Sequence, residues 1–381
     1  MRTTLYPRAV ILIFAVSAIC SGCQAGANAQ DENGIDFVTI ETSGGEKSFA
    51  VDDVNNDSFP DLIVAEAETN RIVVFLNNGA GDLVRASHYS AGPNPTSITA
   101  LDFDRDGNKD IAVANHDVQQ LTLLRGDGTG GFSLGEQSPM LIETLPHSHM
   151  IASADFNSDG FRDIIVDSRD EQSVHILPGR SDGRFELPGE RIGVEGAPYL
   201  GFSIADFDND GTADIVTPNA DDLSVLLNRS SDKLSFERVA SITHAAPFFV
   251  IASDVTGDNN IDIIAASENA AQGISVYAGD GQGGFTKTNS FAIANGAKSM
   301  ASGDANGDGI ADIVITSWNA DIALIIGGKD NLSLLSLPTT SSQSPWGSAF
   351  GDFDGDGRDE IIVGDAASDR VMIYRLNSSA E

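Results

Sequence analysis

The stretch DFDRDGNKD, residues 102–110, places a carboxylate at positions one, three, five and nine and an amide at position seven. Carboxylates crowded in this way repel one another unless a cation sits among them. Alternating oxygen ligands around a glycine turn suit a hard cation, and Ca²⁺ takes about 6–8 oxygens. Gly107 stands at position six, where a tight loop needs a positive φ. An EF-hand would require a bidentate Glu at position twelve and a helix on each side. Position twelve is Val113, inside DIAVA, which reads as a strand. The loop therefore closes at position nine, on Asp110, between two strands.

The same nine-residue pattern recurs as DVNNDSFPD (53–61), DFNSDGFRD (155–163), DFDNDGTAD (206–214), DVTGDNNID (254–262), DANGDGIAD (304–312) and DFDGDGRDE (352–360). First residues are 49, 53, 51, 48, 50 and 48 apart. A steady period near fifty residues signals a propeller, solenoid or array, and it overrides a domain count taken from length.

Each unit follows one script. A short apolar stretch such as SITALDF enters the loop and a run such as DIAVAN leaves it. A polar turn leads to a third strand, such as 121–126, 223–228 or 274–279. A second turn, usually glycine-rich, precedes Leu83, Phe132, Phe185, Phe236 or Phe285, and a more polar fourth segment follows. Four such strands make one antiparallel sheet. The second strands (DLIVA, DIAVA, DIIVD, DIVTP, DIIAA, DIVIT, EIIVG) are nearly continuous apolar runs, which means burial on both faces. Sheets stacked radially on their neighbours bury strands in this way, so the fold class is all-β, a seven-bladed propeller of four-stranded antiparallel blades. The last unit ends after three strands, and a spare strand, DFVTIE at 36–41, precedes the first loop. Pairing 36–41 with RVMIYRL completes the last blade and closes the ring.

The loop, the DI(I/V)V strand behind it and the GxGGF turns at 128–132 and 281–285 resemble FG-GAP/VCBS repeats. These form the seven-bladed propeller of integrin α-subunit heads and of many bacterial surface and secreted proteins. The resemblance covers 36–376. In that family loop positions one, three, five and nine offer side chains to Ca²⁺ and position seven a carbonyl. It thus implies up to seven ions. The first three would be held by Asp53, Asn55, Asp57, Phe59 and Asp61, by Asp102, Asp104, Asp106, Asn108 and Asp110, and by Asp155, Asn157, Asp159, Phe161 and Asp163. The fourth and fifth sets are Asp206, Asp208, Asp210, Thr212 and Asp214, then Asp254, Thr256, Asp258, Asn260 and Asp262. The last two are Asp304, Asn306, Asp308, Ile310 and Asp312, then Asp352, Asp354, Asp356, Arg358 and Glu360. Three loops depart from the pattern: Ser58 and Asn259 replace the position-six glycine, Thr256 is at position three of the fifth loop, and Glu360 closes the seventh. A loop of this kind without metal reads as an Asx-turn.

The formal charge is −34. Liganding positions hold 24 of the 56 acidic residues, and seven divalent ions would bring the balance to −20. The remaining acidity excludes a nucleic-acid partner, which requires clustered Lys and Arg. Residues 1–22 read as a signal peptide, basic at the start and apolar from Ala9 to Cys20, too short to span a bilayer. CSGC resembles a lipobox with Cys23 as the acylated residue, while ANA at 27–29 fits ordinary cleavage after Ala29. The lipoprotein form is favoured. Residues 23–35 then form a linker, 36–376 the propeller and 377–381 a tail. The protein is placed outside the cytoplasm, lipid-anchored in the envelope or, if cleaved after Ala29, secreted or periplasmic. A monomer that meets the membrane only through its lipid is expected.

Catalytic signatures are weak. GDGTGG (126–131) and GDGQGG (279–284) match the dinucleotide fingerprint but lead into strands, not helices. GFSLG (131–135) and GRSDG (179–183) match G-x-S-x-G but stand at turns between strands rather than at a strand-to-helix elbow, and H-E-x-x-H is absent. Topology puts strand entries at the end of the ring opposite the acidic loops, and with them Lys47, His149, Phe248, Lys298 and Trp346, with His147 and Tyr199 alongside. The second-to-third turns add Glu66, His116, Arg169, Asn219, Glu268, Trp318 and Asp365. Aromatic and charged groups around a concave mouth suit a ligand. The leading expectation is a non-catalytic binding module for a protein or polysaccharide, with Lys47, His147, His149, Tyr199, Phe248, Lys298, Trp318 and Trp346 as ligand residues. A polysaccharide lyase using His149, Tyr199 and Arg169 on acidic glycans is the enzymatic alternative. A scaffold subunit of an envelope assembly is the third.

Overall fold

The computed structural model describes residues 29–30, 35–143, 148–168, 171–196, 201–231, 233–268, 273–293, 296–339 and 343–376. Cys23, the signal segment, the tail, His147, Arg169 and Tyr199 lie outside them. Among the described residues no helix is long and apolar enough to cross a membrane.

Lys47–Asp52, Asp61–Glu66, Arg71–Asn77 and Leu83–Ser90 form the first antiparallel sheet, in chain order. The same order repeats in the sheets at 95–141, 151–193, 203–243, 247–291 and 297–337. Seven blades result. First strands of neighbouring blades lie side by side around the axis, and Pro345–Gly351 of the last blade lies beside Lys47–Asp52 of the first.

The continuous apolar runs have a simple cause. Second strands are buried along their whole length, and alternate side chains serve opposite interfaces. Ile63 and Ala65 pack toward the second blade with Ile111 and Val113, while Leu62 and Val64 pack toward the last with Ile362. Seven apolar clusters, each shared by two adjacent blades, complete the circle. Fourth strands face water on one side and alternate, as in Phe236–Thr243.

Closure occurs as the unmatched ends imply. Ile35–Glu41 pairs antiparallel with Arg370–Leu376, Ile35 opposite Leu376 and Glu41 opposite Arg370. Phe37 meets Tyr374 with ring centroids 5.4 Å apart. Two details differ from expectation. Ala29–Gln30, inside the expected linker, adds a fifth strand beside Ile35–Glu41. The outer strand of the second blade is split into Phe132–Leu134 and Met140–Leu141, both on Gln120–Gly126.

Removing 29–41 should bare the edge of Arg370–Leu376 and produce concentration-dependent association in sedimentation. Ile35 is fully buried, so Ile35→Ala should cost about 2–4 kcal/mol in urea unfolding. A truncated chain as stable and monodisperse as the intact one would contradict closure by this strand.

Candidate functional site

At one end of the ring the seven acidic loops share one hydrogen-bond plan. The position-one carboxylate accepts the position-six N–H in every loop, at 2.7–3.0 Å. The position-five carboxylate accepts the position-seven N–H in every loop, at 2.8–2.9 Å. Position six has positive φ throughout, including Ser58 and Asn259, and so does position four, from Asn56 and Arg105 to Gly355. Two left-handed residues per loop turn the chain tightly enough to aim its oxygens inward. Position four was not anticipated. Its Asn and Gly residues were a legible signal, but Arg105 and Ser158 masked it.

Position nine does different work. Asp61, Asp110, Asp163, Asp214, Asp262, Asp312 and Glu360 are buried. One oxygen of each accepts the position-two amide, at 2.7–3.0 Å. In six blades the second oxygen accepts an amide at the end of the third strand, from Asn77, Gly126, Gly179, Asn228, Gly279 or Gly327. The longer Glu360 reaches the Phe353 amide and bonds Arg375 Nε at 2.9 Å instead. Burial pushes Asp61, Asp163 and Asp214 up to about 6 and Asp110 and Asp312 up to about 7, outweighing the amide bonds that lower each, and neighbouring loop carboxylates add to the rise. Burial also raises Asp262 and Glu360.

The loops differ in how well they fit a cation. Carboxylate oxygens gather within 4.8 Å of one another at Asp102, Asp104 and Asp110, at Asp206, Asp208 and Asp210, and at Asp352, Asp354 and Asp356. Asp102 Oδ1 and Asp208 Oδ1 are buried with no hydrogen-bond partner. Hard, crowded, partly orphaned oxygens fit a divalent ion of the Ca²⁺ type. In the first, third and sixth loops Asn55, Asn157 and Asn306 donate Nδ2–H to the position-five carboxylate at 2.9–3.0 Å, which relieves the repulsion internally. In the fifth, Asp262 accepts amides from both Val255 and Thr256. The second, fourth and seventh loops gather the most carboxylates, with Arg125, Arg229 and Arg358 pairing with part of that charge at the rim.

Adjacent loops also touch. Asn56 donates to Asn108 at 2.9 Å, Arg105 lies 5.0 Å over the Phe161 ring, and Asn209 donates to Asn260 at 3.3 Å. In each pair position four of one loop meets position seven of the next. Beneath them, Phe103, Phe156 and Phe207 at position two pack edge-on against Phe185, Phe236 and Phe285 of the following blade. This is the structural role of Phe185, Phe236 and Phe285 after their second turns, while Phe132 meets Tyr89 instead.

The opposite end holds a cavity of about 610 Å³. One wall is aromatic: Trp318 stands 5.6 Å from Trp346 and 6.0 Å from Phe248, in edge-to-face contacts. Lys298 Nζ lies 4.8 Å from the Trp318 ring centroid and 5.2 Å from that of Trp346. Across the cavity His116 and His149 meet with ring centroids 5.0 Å apart, and His149 Nδ1 is 3.5 Å from the buried Asp167. Of the expected mouth residues, Lys47, His149, Phe248, Lys298, Trp318 and Trp346 line the cavity. Lys47, however, is 2% exposed, and its ammonium donates to the carbonyls of Gly45, Asp365 and Ser368. Among the turn residues His116, Glu268 and Trp318 reach the cavity, while Glu66, Asn219 and Asp365 turn inward as buried caps. Glu46, which sequence reasoning passed over, also lines it.

Asp163→Ala would strand two buried amide donors, those of Phe156 and Gly179. Measured in chelator, so that metal loss does not contribute, it should cost about 2–5 kcal/mol in urea unfolding. A loss below about 1 kcal/mol would show that position nine does not hold the blade together.

A sequence model described as an FG-GAP-like repeat matches residues 53–113, 102–166, 155–217, 254–315 and 304–363, each window running from one acidic loop through the next. No curated protein matches the chain. Among solved structures, a chain from the crystal structure of BBS1N in complex with ARL6DN, soaked with lead, superposes with a TM-score of 0.60 at 13% identity, over 93% of this chain and 96% of that one. A lectin of Agrocybe aegerita, solved for its specific recognition of non-reducing terminal N-acetylglucosamine, superposes with a TM-score of 0.57 at 19% identity, over 88% of this chain and 87% of that one. Likeness at such identities establishes the fold alone. The repeat windows span well over half of the chain, and with its seven blades this protein belongs to the FG-GAP-like repeat family.

Proposed function

We propose that the protein is a non-catalytic, calcium-stabilised module that works outside the cytoplasm and binds a polysaccharide in the mouth of the ring. The observation that carries this reading is Trp318, 47% exposed at the rim of a cavity with Trp346, Phe248 and Lys298 beside it. An exposed indole beside hydrogen-bonding and charged groups offers a sugar ring an apolar face and polar partners at once. The basic, apolar N-terminal segment with Cys23 supports export, and millimolar Ca²⁺ outside the cell suits loops of modest affinity.

Calcium would be held by Asp102, Asp104, Asp106, Asp110 and the Asn108 carbonyl, with equivalent groups in the fourth and seventh loops. There it would neutralise the clustered carboxylates and stabilise the native state by mass action. The lyase reading draws on one feature, the placement of His149 against Asp167. It predicts unsaturated products from acidic glycans, and the binding-module reading predicts none.

Excess chelator should lower the melting temperature markedly, most at low salt. Asp102→Ala should remove one ion per chain and leave the other sites filled. An unchanged melting temperature with the metal verified absent would rule out a stabilising role.

On a glycan array, Trp318→Ala should lose binding by about 2 kcal/mol or more while the calcium stoichiometry is unchanged. Undiminished binding by this variant would move the site elsewhere.

A further inference from the structure

Two lysines occupy the same register, six residues before the first Asp of their loops, yet they meet different fates. The Lys47 ammonium has three donors and three carbonyl acceptors, at 3.0, 2.8 and 3.2 Å. Lys298 is 7% exposed and donates to Ser344 Oγ at 3.2 Å. Around it lie the faces of Trp318 and Trp346, which attract a cation but accept no conventional hydrogen bond, and the acidic field of Glu46 and Asp365. Lys47 is saturated by the fold. Lys298 is a desolvated ammonium on a cavity wall with donor capacity to spare.

We propose that the mouth selects sugars bearing a carboxylate, uronic acids, with Lys298 as the residue that reads the carboxylate. The inference rests on the polysaccharide reading of the mouth and deepens it. A carboxylate can complete the ammonium's hydrogen bonds, and bonds between two ions are the stronger kind. Burial lowers the Lys298 pKa, while Glu46 and Asp365 raise it. A bound anion would act in the same direction as those two. Trp318, over whose ring the ammonium lies, offers the stacking surface, so ring and carboxylate can be engaged by adjacent groups. Glu46 and Glu268 also line the cavity and oppose densely charged chains. The site therefore favours one carboxylate per sugar over a heavily sulfated polymer.

The test is calorimetric binding of the purified protein to oligomers of galacturonic, glucuronic, mannuronic and guluronic acid, each beside its methyl ester, with neutral xylo- and cello-oligosaccharides for comparison. At least one acid should bind about tenfold or more tighter than its ester. Lys298→Met should abolish that preference and Lys298→Arg should retain most of it, with the melting temperature of each variant reported alongside. Equal affinity for acid and ester, or a preference that survives Lys298→Met, overturns the assignment. If a neutral oligosaccharide binds and Trp318→Ala abolishes it, the polysaccharide reading stands and the carboxylate proposal falls. If no oligosaccharide binds, both fall.

Discussion

A buried carboxylate at position nine of each loop ties the acidic loop itself to the strands that the sheet ladder pairs. One oxygen anchors the incoming turn through the position-two amide, and in six blades the other anchors the end of the third strand. A single residue thereby fixes the loop, the start of the second strand and the exit of the third. The cost is a desolvated carboxylate whose affinity for a proton is raised by burial. Beside it the loops gather further acidic oxygens, and arginines at the rim offset part of their charge, such as Arg125 at 2.6 Å from Asp104 and Arg229 at 2.7 Å from Asp208.

From this anchor the ring follows. The position-two residue held by the carboxylate points its side chain into the next interface, where three phenylalanines find aromatic partners. Its carbonyl often accepts a bond from the following blade: Val54 from Gly130, Phe207 from Gly283, and Phe353 from the Asn77 amide group. Five blades are thus keyed to their successors by the same carbonyl. The strand Ile35–Glu41 makes the last interface equivalent to the others by restoring the missing outer strand.

Much of this was legible in the sequence because it repeats. Period, loop closure at position nine and the unmatched strands at the two ends are properties of a pattern, and seven copies make the pattern plain. The mouth is different, since each of its residues occurs once. Lys47 and Lys298 share a register, and only the Gly45 turn and the neighbouring Asp365 and Ser368 carbonyls decide that the first is consumed by the fold. Glu66 and Asp365 likewise look like mouth residues by position, yet nearby amides and hydroxyls draw them in as caps. Such choices depend on contacts between units, which spacing within one unit does not encode.

The two ends of the ring therefore differ in kind: repeated chemistry builds the scaffold, and unrepeated side chains line the cavity. The central claim is that a cation in the loops offsets the cost of the buried carboxylates. Because burial raises five of these groups to about 6 or 7, the metal-free protein holds part of them protonated near pH 6.5, and an arriving cation should expel those protons. Titrating Ca²⁺ into metal-free protein at pH 6.5, in buffers of different ionisation heat, measures that release directly. Net release of protons on binding, fading by pH 8.5, is the predicted result; calcium binding with no proton release at pH 6.5 would contradict the account.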